Sequence, residues 1–149
     1  MLLLSEKEAE GVRNRLRALS QPVRLVYFTE GRGGLIIPGR ECRYCGETQR
    51  LLEDVARCSP ELTLEVYDRI TDPGAFASHG VDKVPGLAVI GAQDYGLRFY
   101  GLPAGYELAT LLDIIVDVGR GSTGLTADTR ATLTALPADV WLQVFVTPT

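Results

Sequence analysis

Residues 41–46 are Glu41-Cys42-Arg43-Tyr44-Cys45-Gly46, in which two cysteines are separated by two residues. Such a pair can close a small disulfide ring, supply half of a metal site, or cycle between dithiol and disulfide. From Thr48 to Ala56 apolar residues recur at helical spacing, with polar residues between them. The cysteine pair is therefore predicted to lie at the N-terminus of an amphipathic helix.

A helix N-terminus favours redox chemistry among these three uses. Its unpaired backbone N–H groups and the helix dipole stabilise negative charge, which lowers the pKa of a cysteine placed there. The thiolate is the nucleophile in disulfide exchange. Arg43 adds a positive charge beside the pair, and Tyr44 offers a ring that either contacts a substrate or simply covers the site. We therefore interpret Cys42 and Cys45 as a redox pair.

A zinc site is the main alternative for the two cysteines. A closed structural site needs four ligands, and the other nitrogen or sulfur candidates are Cys58 and His79. Cys58 lies 13 positions after Cys45 on the same predicted helix. At about 1.5 Å per residue the two are roughly 20 Å apart, too far to share one ion. Cys58 is better explained as a small buried residue at the helix end, and His79 as a cation at the C-terminus of a short helix.

Composition limits the classes of partner. The 149 residues carry a net charge of −4, so the sequence has no basic surface for nucleic acid or anionic membranes. The N-terminal Leu2–Leu4 run is too short for a signal peptide, and no apolar run reaches the roughly 18–20 residues that span a bilayer. Three cysteines do not form a paired disulfide framework. We expect a cytoplasmic protein that contacts neither nucleic acid nor membrane.

The remaining elements predict the fold. In order they are a helix after the Ser5–Glu8 capping box, a strand over Val23–Phe28, the cysteine helix, a strand over residues 62–67, a short helix with a capped start at Thr71-Asp72-Pro73, a hairpin of strands 86–90 and 97–100, and a helix ended by Gly119 and Gly121. A strand–helix–strand unit whose helix opens with Cys-x-x-Cys is typical of the thioredoxin fold. The predicted class is α/β, a mixed central sheet flanked by helices, with an extra N-terminal helix.

Residues 122–149 exceed what one such unit needs. Thr126 to Leu136 predicts a further helix, and Val140 to Val146 predicts an apolar strand in which Trp141 packs in a core. We therefore expect two parts: a thioredoxin-like unit over residues 1–121, and a linker helix with the first strand of a truncated second unit over residues 122–149. Because an unpaired strand edge favours pairing, a homodimer through this terminal strand is also expected.

Several motifs together resemble one family. They are Cys42-Arg43-Tyr44-Cys45, Leu64–Asp68, Gly80–Pro85, Asp94–Gly105 and Gln143–Thr149. They are similar to the two-unit protein disulfide oxidoreductases of thermophilic archaea and bacteria, often called glutaredoxin-like, in which two thioredoxin units share one extended sheet. Related tandem domains occur in alkyl hydroperoxide reductase flavoproteins, where the first unit is altered, whereas here both cysteines are present.

The resemblance implies roles for individual residues. Cys42 would be the exposed attacking cysteine and Cys45 the resolving one. The Val84–Pro85 bond would be cis and lie against the cysteines, where Val84 can pair with a substrate peptide, and Arg43 and Tyr44 would complete the substrate-binding residues. The activity would be thiol–disulfide exchange with protein thiols and disulfides, without an organic cofactor or metal, supported by a thioredoxin-reductase-type reductant. A lone unit is expected to be less active.

Some alternatives stay open at this point. The glycine-rich connection Thr29–Arg40 is longer than the family's, and it lacks the Gly-Lys-Ser/Thr of a phosphate loop, so it is either a surface insertion or a partner contact through Leu35–Ile37. Glu47, Asp68 and Asp94 are candidate proton acceptors for the resolving cysteine. A non-catalytic thioredoxin-fold interaction module is the alternative function.

Overall fold

The computed structural model of the chain describes residues 3–31, 39 and 41–147. Its elements are α1 (Glu6–Leu16), β1 (Val23–Thr29), α2 (Cys45–Ala56), β2 (Leu62–Asp68), α3 (Pro73–His79), β3 (Gly86–Ile90), β4 (Arg98–Tyr100), α4 (Tyr106–Arg120) and α5 (Ala127–Thr134). Most of the Thr29–Arg40 connection, including Leu35–Ile37, lies outside the described residues. None of the described helices is long and apolar enough to cross a membrane.

One mixed sheet organises residues 3–121. Its strand order is β2-β1-β3-β4, with β1 parallel to β2 and the other neighbouring pairs antiparallel. The register pairs Thr29 with Asp68, Phe28 with Gly86, and Gly86 with Tyr100. These residues define one end of the sheet, which we call the cysteine edge because α2 begins beside it.

Side chains of β1 alternate between two cores, as the two-residue period of a strand requires. Leu25 and Tyr27 enter the larger core with α1, α2 and α4, while Val26 and Phe28 enter a smaller core with Phe76 of α3. All four are fully buried. The predicted α/β class, with a mixed sheet between helices, is confirmed, and β1 is its central buried strand.

The predicted N-terminal helix is confirmed together with its cap. Ser5 accepts the N–H of Glu8, and the Glu8 carboxylate accepts the N–H of Ser5, which completes the capping box. Ahead of the cap, the N–H groups of Leu3 and Leu4 donate to the buried carboxylate of Asp54 on α2. The side chains of α1 and the backbone before it therefore both fasten this helix to the cysteine helix.

Two local predictions are wrong in detail. Asp72 precedes α3 but does not cap it through its side chain, because its carboxylate accepts the backbone N–H of Asp68 and the hydroxyl of Thr71 instead. Gly119 lies inside α4 rather than at its end, and the helix stops at Gly121, whose φ of 63° is left-handed. An added Cβ on Gly119 would press on Leu19, so this glycine serves helix packing.

The C-terminal part only partly follows its prediction. Thr126 caps α5 by accepting the N–H of Thr129, but no residue of this helix is buried. The predicted strand over residues 140–146 is not formed, because a strand needs a hydrogen-bonded neighbour and no described segment pairs with it. Trp141 is 80% exposed, so its predicted core position is wrong. The division at residue 121 stays a prediction.

Candidate redox site

Cys42 and Cys45 form a disulfide, with their Cα atoms 5.4 Å apart. Cys42 precedes the helix, Tyr44 is the N-cap residue, and Cys45 is the first residue of α2. Cys42 is partly exposed, whereas Cys45 is 3% exposed. Cys42 is therefore the more accessible residue of the pair, and the division into an attacking Cys42 and a resolving Cys45 stays a prediction.

The first turn of α2 provides the electrostatic setting. Tyr44 makes no side-chain capping hydrogen bond, so its side chain does not compete for the first-turn N–H groups. The N–H of Cys45 donates to the carbonyl of Cys42 at 3.3 Å, which folds the motif into a tight turn. Once the disulfide is reduced, the helix dipole and these N–H groups favour negative charge on a sulfur at this end.

Arg43 and Tyr44 form the exposed rim of the motif. Both are exposed, and the Arg43 guanidinium carbon lies 5.3 Å from the centroid of the Tyr44 ring. This cation–π contact holds the Arg43 charge at the surface beside the cysteines. The two residues are thus together and accessible, although their predicted contact with a substrate stays a prediction.

The Val84–Pro85 bond is cis, as the family resemblance implies. It immediately precedes β3, whose first residue, Gly86, belongs to the cysteine edge. Pro85 is buried, its carbonyl accepts the N–H of Gly101 at 3.0 Å, and Val84 is partly exposed. The sheet topology therefore places this bond at the same end of the molecule as the disulfide.

Tyr27 is a site residue that the sequence analysis missed. Its ring is fully buried in β1, and its hydroxyl donates to the carbonyl of Cys45 at 2.7 Å. The bond joins the central strand to the first residue of the cysteine helix. A signal was available, because a tyrosine in an otherwise apolar strand usually has a hydrogen-bond partner when buried.

The sheet register places Asp68 and Asp94, two of the candidate proton acceptors, at opposite ends of the sheet. Asp94 lies in the turn between β3 and β4, at the end of the sheet opposite the cysteine edge. It pairs with Arg98 at 2.6 Å, and hydrogen bonding to this guanidinium holds the pKa of Asp94 below its ordinary value. Asp94 therefore cannot serve Cys45.

Asp68 and Glu47 lie nearer the cysteines. Asp68 ends β2 at the cysteine edge and is 2% exposed, and its carboxylate accepts the N–H of Ile70 at 2.8 Å. That contact fits the turn role predicted for it. Glu47 is partly buried in the first turn of α2.

Cys58 and His79 lie at the C-terminal ends of two different helices, α2 and α3. Cys58 lies two residues after α2 and is partly exposed, so the buried position predicted for it is wrong. Its sulfur lies 3.3 Å from the carbonyl oxygen of Asp54, and partial burial raises the pKa of its thiol. His79 ends α3, and its Nδ1 is 2.9 Å from the carbonyl oxygen of Ala75, as expected for a residue at a helix C-terminus. Within residues 3–31, 39 and 41–147, no group of three or more His, Cys, Asp or Glu is arranged to hold a metal ion.

Comparison with known proteins identifies the fold. No protein-family description matches the chain, and no curated protein matches it. Among solved structures, a protein disulfide oxidoreductase from Aeropyrum pernix superposes with a TM-score of 0.76 at 28% identity, over 91% of this chain and 56% of that one. An N-terminal domain of the alkylhydroperoxide reductase AhpF from Enterococcus faecalis gives 0.73 at 24% identity, over 90% and 61%.

The chain therefore has a thioredoxin fold, similar to that of a disulfide oxidoreductase. It spans little more than half the length of these two proteins. The Cys42–Cys45 disulfide lies at the N-terminus of α2 in this fold.

Proposed function

We propose that the chain is a thiol–disulfide oxidoreductase that exchanges protein disulfides through Cys42 and Cys45. The observation that carries this proposal is the asymmetry of the pair: a partly exposed Cys42 is disulfide-bonded to a buried Cys45 at the start of α2. The similarity to a protein disulfide oxidoreductase supports it. The two sulfurs lie within bonding distance at a helix N-terminus, which favours thiol–disulfide exchange over a non-catalytic interaction module.

The exchange needs two steps. In the reduced protein, the Cys42 thiolate attacks a substrate disulfide, forms a mixed disulfide and releases one substrate thiolate, which takes up a proton. The Cys45 thiol then loses its proton to solvent and attacks the Cys42 sulfur. This forms the Cys42–Cys45 disulfide and releases the second substrate thiolate. The substrate gains two electrons and the pair loses two, so the chemistry requires neither an organic cofactor nor a metal.

Substrate contact is proposed at the cysteine edge. Arg43 and Tyr44 provide an exposed charge and ring beside Cys42. Val84, next to the buried Pro85, can offer its backbone to an extended peptide in the manner of an added strand. Peptide groups around the substrate cysteine would then be held by main-chain hydrogen bonds, which do not depend on side-chain identity.

The partners and compartment follow from the chemistry. A reducing compartment keeps such a pair largely as dithiol, so we propose a cytoplasmic location and a thioredoxin-reductase-type reductant. A homodimer through residues 140–146 is also proposed, because their apolar side chains are exposed. A strictly monomeric mass by light scattering would reject the dimer.

The test of the function is dithiothreitol-driven reduction of insulin. Wild type and Cys58→Ser should accelerate insulin precipitation equally, whereas Cys42→Ser should leave only the uncatalysed rate, because it removes the attacking sulfur. Cys58→Ser is the matched control, since it removes a thiol outside the pair. The proposal fails if wild type is no faster than Cys42→Ser, or if Cys58→Ser alone is inactive.

A further inference from the structure

Thr48 carries a buried hydroxyl that the fold leaves unused. It lies in α2 three residues after Cys45 and is 1% exposed. Within the described part of the chain, its Oγ1 has no hydrogen-bond partner. Because burying a hydroxyl without a partner costs about 1–3 kcal/mol, its presence beside the redox pair calls for a physical reason.

The two backbone carbonyls that a helical threonine usually bonds do not accept the Thr48 hydroxyl. In a helix, the hydroxyl of threonine generally bonds the carbonyl three or four residues earlier. The carbonyl four residues earlier, that of Tyr44, accepts the N–H of Thr48 itself at 2.9 Å, and its second lone pair does not receive the hydroxyl. The carbonyl three residues earlier is that of Cys45, which accepts the hydroxyl of Tyr27 at 2.7 Å and, in the helical pattern, the N–H of Gln49. Since a carbonyl oxygen has two lone pairs, Tyr27 takes the acceptor that Thr48 would otherwise use.

The Cys45 sulfur is the nearby acceptor whose strength changes during the reaction. Residues three apart on a helix are surface neighbours, with Cβ atoms about 5–6 Å apart, and Thr48 and Cys45 are both buried on α2. In the disulfide, the Cys45 sulfur is neutral and a weak acceptor. As a thiolate it carries a full charge, and hydrogen bonds to charged groups are about twice as strong as neutral ones.

We propose that the Thr48 hydroxyl donates a hydrogen bond to the Cys45 sulfur in the reduced and mixed-disulfide forms, and is left without a partner when the disulfide closes. This inference rests on the proposed exchange between the two cysteines. The hydroxyl moves no proton. It stabilises the Cys45 thiolate while that sulfur attacks Cys42, forms the Cys42–Cys45 bond and displaces the substrate thiolate. The hydroxyl therefore favours the reduced pair over the disulfide.

The first test compares reduction potentials in a dithiothreitol redox titration. Thr48→Val keeps the shape of the side chain and removes the donor, so only the reduced form loses an interaction. We expect the disulfide to become about tenfold harder to reduce, a shift of about 30 mV to more negative potential for a two-electron couple. Thr48→Ser, which retains a hydroxyl, should restore a potential close to that of wild type. Thr132→Val, the same change at an exposed position of α5, should leave the potential unchanged.

The second test measures the pKa of the Cys45 thiol in the absence of the other two cysteines. In a Cys42→Ala, Cys58→Ser background, Cys45 is the sole thiol, and the ultraviolet absorbance of its thiolate reports its pKa. Adding Thr48→Val should raise that pKa by about one unit, the counterpart of a tenfold change in equilibrium, whereas adding Thr132→Val should not. Oxidised Thr48→Val should unfold at or above the wild-type temperature, because it loses a hydroxyl that has no partner.

These measurements test the role of the Thr48 hydroxyl separately from the proposed oxidoreductase function. An unchanged potential and Cys45 pKa in Thr48→Val, or an oxidised Thr48→Val clearly less stable than wild type, would overturn the role of Thr48. Insulin turnover by wild type would still stand in that case. If wild type failed to reduce insulin but the potential shifted as expected, the hydroxyl contact would hold and the proposed function would not.

Discussion

Gly86 offers a sharp test of how the cis-proline turn is packed at the cysteine edge. A Cβ added there would lie 2.8 Å from the carbonyl oxygen of Lys83 and 2.9 Å from Cγ1 of Val81. The first is a backbone atom of the turn that leads into Pro85, so it cannot move without displacing that turn. Gly86→Ala should therefore push Pro85 away from its present position.

The expected change in the free energy of unfolding is the difference between two opposing contributions. Replacing glycine by alanine reduces the entropy of the unfolded chain and stabilises a compatible site by about 0.4–1 kcal/mol. Overpacking a filled site costs typically about 1–3 kcal/mol. With the middle of each range, the net loss for Gly86→Ala is about 1.3 kcal/mol, which lowers Tm by roughly 3–5 °C in a chain of this size. Displacement of the turn should also slow insulin reduction by roughly tenfold, since misplacement by about 1 Å can cost up to 100-fold.

Gly11 provides the matched control. It lies in α1 with no atom within 4 Å of an added Cβ, so Gly11→Ala gains helix propensity without a clash. Its free energy of unfolding should rise by about 0.5–1 kcal/mol. Both variants would be compared by thermal unfolding and by insulin reduction. If Gly86→Ala proved as stable and as active as Gly11→Ala, the close packing of the turn around Gly86 would be refuted.

Three other predictions concern regions away from the pair. Asp94→Asn should lower stability by about 0.5–1 kcal/mol at pH 7, allowing for solvent screening of a partly exposed ion pair. Because Arg98 depresses the folded-state pKa of Asp94, the stability that this ion pair contributes is complete above the ordinary Asp pKa of about 3.9 and is lost as pH falls through the folded-state pKa. If urea unfolding showed the same loss of stability for Asp94→Asn at pH 7 and at pH 2, the prediction would be contradicted. Burial raises the pKa of Cys58, so iodoacetamide should label it more slowly than free cysteine at pH 8, and an equal rate would show an open thiol. Trp141 should fluoresce like N-acetyltryptophanamide and be quenched by iodide, whereas a blue-shifted, protected emission would show that residues 140–147 are covered.

Local sequence patterns were sufficient for most elements. The Ser5 capping box and the apolar periodicity after Thr48 reflect interactions within a few residues, and both predicted helices are present. The apolar run from Val23 is also a strand as predicted, although its hydrogen bonds come from the distant strands β2 and β3. The Cys-x-x-Cys motif fixed the pairing of Cys42 with Cys45 for the same reason, since a single tight turn brings the two sulfurs together.

Contacts across the sheet depend on strand order, which no local pattern contains. Asp68 and Asp94 were equal candidates until the register placed them at opposite ends of the sheet. The bond from Tyr27 to Cys45 joins residues 18 positions apart, and it occupies a carbonyl that the unpartnered hydroxyl of Thr48 could otherwise use.

The terminal segment shows the limit of sequence pattern most directly. Residues 140–146 have the apolar composition of a buried strand, yet in the structure they are exposed and unpaired with any described strand. Composition states that a segment can be buried, but only a neighbouring strand with open N–H and C=O groups makes it part of a sheet. The sequence alone therefore determined the helices, the central strand and the position of the cysteine pair at a helix N-terminus. The tertiary structure decided which groups surround that pair, because burial and hydrogen bonding are properties of what packs against a residue.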